Sequence, residues 1–289
     1  MVSELKVWRQ TITLPAQPSS SSLSASSPSC RPRAVLLFDI DGVLRDVAGS
    51  YRRAIRGTVR HFCGWTPDPA DIDALKSEGR WNNDWEASRE LIRRRDAAAV
   101  PAFAELVAVF GDLYFGGDPD GDPTLWRGYI GSEPLLVEGS FFEGLAAAGI
   151  AWGFVSGAEP PSCRYVLETR LGLVDPPLIA MGDAPDKPDP TGLLRLAQRL
   201  SGDPLGADAV PVAYLGDTVA DVETVLRARA ALPDQRLLSL AVAPPHLQVA
   251  GKEAARAAYE ERLRQAGADR VLGHTGEVAA VLLNTIGGA

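Results

Sequence analysis

Ala34-Val35-Leu36-Leu37-Phe38-Asp39-Ile40-Asp41-Gly42-Val43-Leu44 is the stretch whose reading decides the fold. Five apolar residues run without polar alternation and then give way to two carboxylates and a glycine. An unbroken apolar run of this length is expected of a strand covered on both faces, as in a parallel sheet. Downstream, runs at 150–155, 178–181, 210–215, 237–242 and 270–272 read as further strands. They alternate with helical periodicity at 141–148, 163–170, 193–200, 219–230, 253–266 and 277–283. Repeated strand–helix units imply a doubly wound, Rossmann-like α/β core with helices on both faces of a parallel sheet.

The alternation is interrupted once. Between the first strand and the second, residues 47–137 carry helical spacing at 51–63, 70–77, 84–97 and 102–115, punctuated by Pro67, Pro69, Pro101 and the Gly116-Gly117-Asp118-Pro119 turn. The expected division is therefore a tail over 1–33, an α/β core over 34–46 and 138–289, and an inserted helical cap over 47–137. The tail holds a Ser/Ala/Pro-rich tract from Pro18 to Pro32. Such a composition cannot bury a core and is expected to stay disordered. Its apolar residues are too dispersed for a secretory signal, and Glu4 with sparse arginines argues against a transit leader.

A net charge of −8 speaks against a broad nucleic-acid surface. No stretch approaches the roughly 20 apolar residues of a membrane span. Three scattered cysteines (Cys30, Cys63, Cys163) do not make a disulfide framework and suit a reducing, cytoplasmic setting. The three histidines show no zinc-like spacing. The composition says nothing of oligomeric state.

Four short motifs follow in order: Asp39-Ile40-Asp41-Gly42, Ser156-Gly157, Lys187-Pro188-Asp189-Pro190 and Gly216-Asp217-Thr218 with Asp221. In open parallel sheets, ligands bind beyond the carboxyl ends of the strands. The first, second and fourth motifs each follow an expected strand directly, and Lys187 lies in the loop after the third. Residues distant in sequence should thus meet on one edge. Singly, each motif also has a plain reading. Asp-Gly and Ser-Gly are common turn pairs, Lys-Pro-Asp-Pro is a common exposed loop, and Asp221 could serve a helix start. Their conjunction, in order and at strand ends, is what carries weight. Lysine is rare here (Lys6, Lys76, Lys187, Lys252), which adds a little to Lys187.

In motif order and spacing, about 34–242, the chain resembles the haloacid dehalogenase (HAD) superfamily of phosphotransferases with a small helical cap, phosphoglycolate-phosphatase-like. The resemblance implies Asp39 as nucleophile and Asp41 as the acid that protonates the leaving oxygen and then activates water. It implies Ser156 and the N–H of Gly157 on the phosphate oxygens, and Lys187 as the balancing charge. Mg²⁺ would be held by Asp39, the carbonyl of Asp41, Asp217 and, directly or through water, Asp221. An acid at 41, where related dehalogenases carry an aromatic residue, points to phosphoryl transfer. The expected partner is a small phosphorylated metabolite, with no nucleic acid and no membrane. A phosphomutase of the β-phosphoglucomutase kind would share every motif. An inactive binding protein on the same fold is the alternative from another class.

Within the cap, Arg80-Trp81-Asn82-Asn83-Asp84-Trp85 is the most unusual stretch. Arg80, Asn82, Asn83 and Trp85 are candidates for substrate selection, the alternative being that Asn82 or Asn83 caps the helix with the tryptophans packed inside. Arg45, just after the first motif, is a further candidate for substrate contact. Arg93-Arg94-Arg95 reads as a solvated helix face or an anion lure.

Overall fold

The computed structural model describes residues 31–287 apart from 77, 79, 80 and 82. The tail expected over 1–33 therefore falls almost wholly outside the described residues, as do Arg80 and Asn82.

Six parallel strands form one sheet: β1 (Ala34–Phe38), β2 (Ile150–Val155), β3 (Leu178–Ile179), β4 (Val212–Gly216), β5 (Leu237–Val242) and β6 (Arg270–Leu272), in the order β3-β2-β1-β4-β5-β6. The order reverses between β1 and β4, which makes their carboxyl ends the switch point where a ligand crevice opens. Every residue of β1 is buried, because the strand is hydrogen-bonded on both edges and covered on both faces. Leu36 and Phe38 pack in one layer with Phe142, Val166 and Leu282, while Val35 and Leu37 pack in the other with Leu196 and Val225. That two-sided burial is why the run shows no alternation. Phe38 meets Phe141 and Phe142 edge-on at ring separations of 6.0 and 5.8 Å.

The helices of the insertion are α1 (Tyr51–Cys63), α2 (Pro69–Lys76), α3 (Asp84–Arg95) and α4 (Phe103–Tyr114). They bury an apolar cluster of their own. Ala54, Ile55 and Val59 of α1 meet Ala87 and Leu91 of α3 and Leu106 and Phe110 of α4. The three- and four-residue spacing within each helix puts those side chains on one stripe.

The core helices are α5 (Gly139–Ala147), α6 (Pro160–Arg164), α7 (Thr191–Ser201), α8 (Val219–Ala231), α9 (Glu253–Ala266) and α10 (Val278–Gly287). α6 continues as a π-helical stretch over Tyr165–Arg170. The third strand is shorter than its apolar run suggests. Gly182 turns at φ +87°, and the carboxylate of Asp183 takes the N–H of Ala180 at 2.9 Å, so pairing stops at Ile179. No helix among the described residues is long and apolar enough to cross a membrane.

Candidate active site

Three of the four motifs converge at the switch point through their charged groups. Asp39 follows β1 with its N–H still bonded to Leu215 of β4 at 2.9 Å, so its backbone belongs to the sheet's edge. Its carboxylate meets Lys187 Nζ at 2.8 Å. The same ammonium donates to Asp221 Oδ1 at 2.6 Å and to the hydroxyl of Tyr214 at 3.3 Å. Carboxylate oxygens of Asp39, Asp217 and Asp221 lie within 4.8 Å of one another, and all three residues are buried.

Two glycines make this closeness possible. Gly42 turns at φ +76°, and a Cβ there would lie 2.0 Å from Asp217 Oδ2. A Cβ on Gly216 would lie 2.3 Å from the Cβ of Asp221. At both positions any side chain would displace an acid of the cluster.

The electrostatics follow from burial and crowding. Desolvation raises the Asp39 carboxyl to about 6, against the pull of Lys187. Burial, with Asp221 and Asp39 alongside, holds Asp217 well above the ordinary carboxyl range. Burial would raise Asp221 too, but Lys187 and the Thr218 hydrogen bonds outweigh it and its pKa falls. Lys187 is pushed well above its ordinary value, because Asp221 and Asp39 overcome the desolvation that alone would lower it.

Fully ionised, the three carboxylates would exceed the one ammonium by two negative charges in a buried cluster, which is why Asp39 and Asp217 hold their protons so tightly without a cation. Hard oxygen donors with that charge suit a divalent cation such as Mg²⁺. The donors are not equivalent. Asp221 Oδ1 accepts from Lys187 and Tyr214, and its Oδ2 from the N–H and hydroxyl of Thr218. A carboxylate offers about four acceptor directions, so those of Asp221 are taken. It anchors Lys187 and closes a capping box on α8 while lending its charge to the cluster. Asp39 and Asp217 are the acids with room for a cation.

Ser156 is buried at the end of β2, where its Oγ accepts from the N–H of Ala158 at 3.2 Å, and Gly157 beside it is exposed. Arg45 corrects the expectation of a substrate contact. Its side chain is 0% exposed and ion-paired to Asp41 and Glu133. Asn83 is exposed and caps α3, its side-chain oxygen accepting from Trp85 N at 2.9 Å and Glu86 N at 3.1 Å. Trp81 and Trp85 pack against the helical cluster. The helix-cap reading is therefore what Asn83 shows. Of Arg93-Arg94-Arg95, two members close ion pairs to Glu90 on their own helix.

A cavity of about 190 Å³ opens at the cluster, lined by Gly42, Asp217 and His246 from the core and by Tyr51, Arg52 and Asp84 from the insertion. Another cavity, of about 300 Å³, lies wholly within the insertion around Trp65 and Arg95 and touches none of the motifs. Convergent charge, not size, marks the site. Tyr51, Arg52, Tyr214 and His246 are members that sequence reading missed, whereas Asp84 and Thr218 stand inside the quoted motifs without a role of their own. Thr218 has a local signal, the Thr-x-x-Asp pattern of a capping box, and Asp84 has one in the polar stretch at the helix start.

Residues 34–229 match the family model of haloacid dehalogenase-like hydrolases. An imidazoleglycerol-phosphate dehydratase of Phytophthora nicotianae is 35% identical over 198 residues, which are 66% of this chain and 40% of that protein. The chain thus spans well under half of that relative. Among solved structures, phosphatase Tt82 of Thermococcus thioreducens is similar with a TM-score of 0.55 at 23% identity, over 70% of this chain and 91% of that one. A phosphonoacetaldehyde hydrolase-like protein of Oleispira antarctica gives a TM-score of 0.61 at 17% identity, over 92% and 97%. At such identities these two speak for the fold. The family model spans the sheet from β1 into α8 and includes all four motifs, and on that match the chain belongs to the haloacid dehalogenase-like hydrolases.

Proposed function

We propose that the protein is a Mg²⁺-dependent phosphatase that hydrolyses a small phosphomonoester through an aspartyl-phosphate on Asp39. The observation that carries this reading is the buried Asp39–Lys187–Asp217 cluster at the switch point of the sheet. In this reading an oxygen of Asp39 attacks phosphorus while Asp41 gives its proton to the departing alkoxide. Asp41 then takes a proton from water, whose oxygen attacks the phosphorus of the acyl phosphate and restores the Asp39 carboxylate with release of inorganic phosphate. Lys187 offsets charge on the transferring group, and Ser156 with the N–H of Gly157 orients its oxygens. Asp39 and Asp217 would hold the cation, which supplies further charge neutralisation when bound.

The cavity of about 190 Å³ favours a small leaving group. Asp84 and Arg52 on its rim give polar contacts a place in selecting it. The dehydratase name of the Phytophthora relative is not carried over, since this chain corresponds to only 40% of that protein.

A phosphate-release screen over phosphorylated metabolites, with Mg²⁺ or with EDTA, tests the proposal. Release should require Mg²⁺. Asp39→Asn should lower turnover at least ~10³-fold, since an amide cannot accept the phosphoryl group. Near-normal release by that variant would end the aspartyl-phosphate mechanism.

A further inference from the structure

Arg45 carries a charge into full burial, and its guanidinium uses all three nitrogens there. Nε donates to Asp41 Oδ1 at 2.7 Å, Nη1 to Glu133 Oε2 at 2.9 Å and Nη2 to Ser162 Oγ at 2.8 Å. Glu133 is itself buried. Its carboxylate also accepts from the hydroxyls of Ser50 and, at 3.2 Å, Tyr114. Tyr114 and Ser162 lie 3.1 Å apart through their hydroxyls.

These partners come from two sides. Ser50 and Tyr114 flank α1 and end α4 in the insertion, whereas Ser162 belongs to α6 of the core. The two backbone connections that join insertion to core run side by side at this place. Asp46 N donates to Pro134 O at 2.9 Å, and Leu136 N to Leu44 O at 2.8 Å. The guanidinium therefore sits at the crossing.

A buried ion pair is an expensive way to fill space, and apolar side chains of similar volume commonly do it as well. What arginine adds is a rigid planar fork, whose orientation is set once two of its nitrogens are held. Glu133 and Ser162 hold the two terminal nitrogens, and the third then points in one direction, at Asp41. The Asp41 carboxyl is only partly buried, 27% exposed, and so stays open to exchange a proton. We infer that Arg45 is a positioning residue: clamped by Glu133 and Ser162 at the crossing of core and insertion, it fixes the Asp41 carboxyl for proton exchange with the leaving group. The inference rests on the phosphatase reading for the role of Asp41.

Leaving-group dependence separates this role from a structural one. Esters of weakly acidic alcohols need a proton from Asp41 as the bond to phosphorus breaks, whereas p-nitrophenolate leaves almost unaided. The quantity to read is kcat/KM, which covers the steps up to leaving-group departure, across a series from alkyl phosphates through phenyl phosphate to p-nitrophenyl phosphate. Arg45→Lys keeps the charge and loses the fork. Its kcat/KM should fall about tenfold or more further for the alkyl esters than for p-nitrophenyl phosphate, a fraction of what general acid catalysis supplies. Ser162→Ala removes one holding bond without stranding a charge, and should bend the series in the same direction by a smaller factor even where Arg45→Lys fails to fold. An equal fall across the series in both variants, or no fall, would overturn the inference. Where the wild-type protein releases phosphate from none of these esters, the metabolite screen alone decides the phosphatase reading. The positioning is then judged from crystal structures: a turned Asp41 carboxyl in Arg45→Lys or Ser162→Ala upholds it, and an unmoved one in both refutes it.

Discussion

Gly42 stands at the tightest contact of the site. Its backbone turns at φ +76°, and the space where a Cβ would go is filled by the Asp217 carboxylate. Gly42→Ala adds a left-handed strain of about 1 kcal/mol and, more importantly, pushes Asp217 off the cluster. A displacement on the order of 1 Å at a reacting centre can cost ~10²-fold in rate. The expected outcome is a loss of that size in kcat/KM with a modest fall in melting temperature. Wild-type kinetics in the variant would show that the approach of Asp217 to the first motif is not functional. The meeting of Asp39 and Asp217 is legible in the sequence, because strand-end position is a local property and the parallel sheet brings strand ends together; Lys187 is legible only as a rare lysine in the loop beyond the third strand. Arg45 is not legible in the same way, being fully buried. An arginine after a turn reads as exposed, since arginine is seldom buried unless paired, and its partner Glu133 lies 88 residues away with no local sign of the pairing.

The helical insertion shows the same division at the scale of elements. The apolar stripes of α1 and α4 foretell their extents to within a residue or so, because burial against one neighbouring layer imposes the 3.6-residue period. What periodicity does not tell is which residue at a helix start faces the cavity. The expected candidate Asn83 caps α3, and the next residue, Asp84, lines the cavity. Asn83→Ala should therefore lower stability by about 1 kcal/mol and leave the ranking of substrates unchanged. Asp84→Asn should change that ranking, which one substrate panel run on both variants would reveal. A reordering in Asn83→Ala alone would return the selecting role to Asn83. The short β3 makes a related point: an apolar run of four residues ends its pairing after two, because side-chain and glycine turn chemistry beyond it redirects the backbone.

For the molecule as a whole, the three acids at the switch point tie folding stability to pH and, in the proposed reading, to metal. Asp39 and Asp217 hold protons more tightly in the folded chain than in the unfolded one, because burial and mutual repulsion disfavour their charged forms. A folded state that binds more protons loses stability as pH rises. For Asp39 the loss begins near the ordinary value of 3.8 and is complete above about 6. For Asp217 it extends further up. Asp221 has the opposite shift, and its contribution is lost only below 3.8, outside that window. In EDTA, the melting temperature of the wild-type protein should therefore decline between about pH 4 and pH 7 by more than that of Asp217→Asn, which has lost one of the repelling charges. At pH 7 without metal, Asp217→Asn should be the more stable of the two. Addition of Mg²⁺ should reverse their order. A cation binding the folded state alone raises stability with its concentration, by about 2.7 kcal/mol at a hundred times its dissociation constant, and the variant lacks one of the two acids open to it. Melting curves of both proteins at pH 5 and pH 7, with and without Mg²⁺, decide the matter independently of any substrate. Equal responses to Mg²⁺ would mean that Asp217 does not hold the ion, and a wild-type protein more stable than the variant in EDTA at pH 7 would mean that Lys187 already neutralises the cluster.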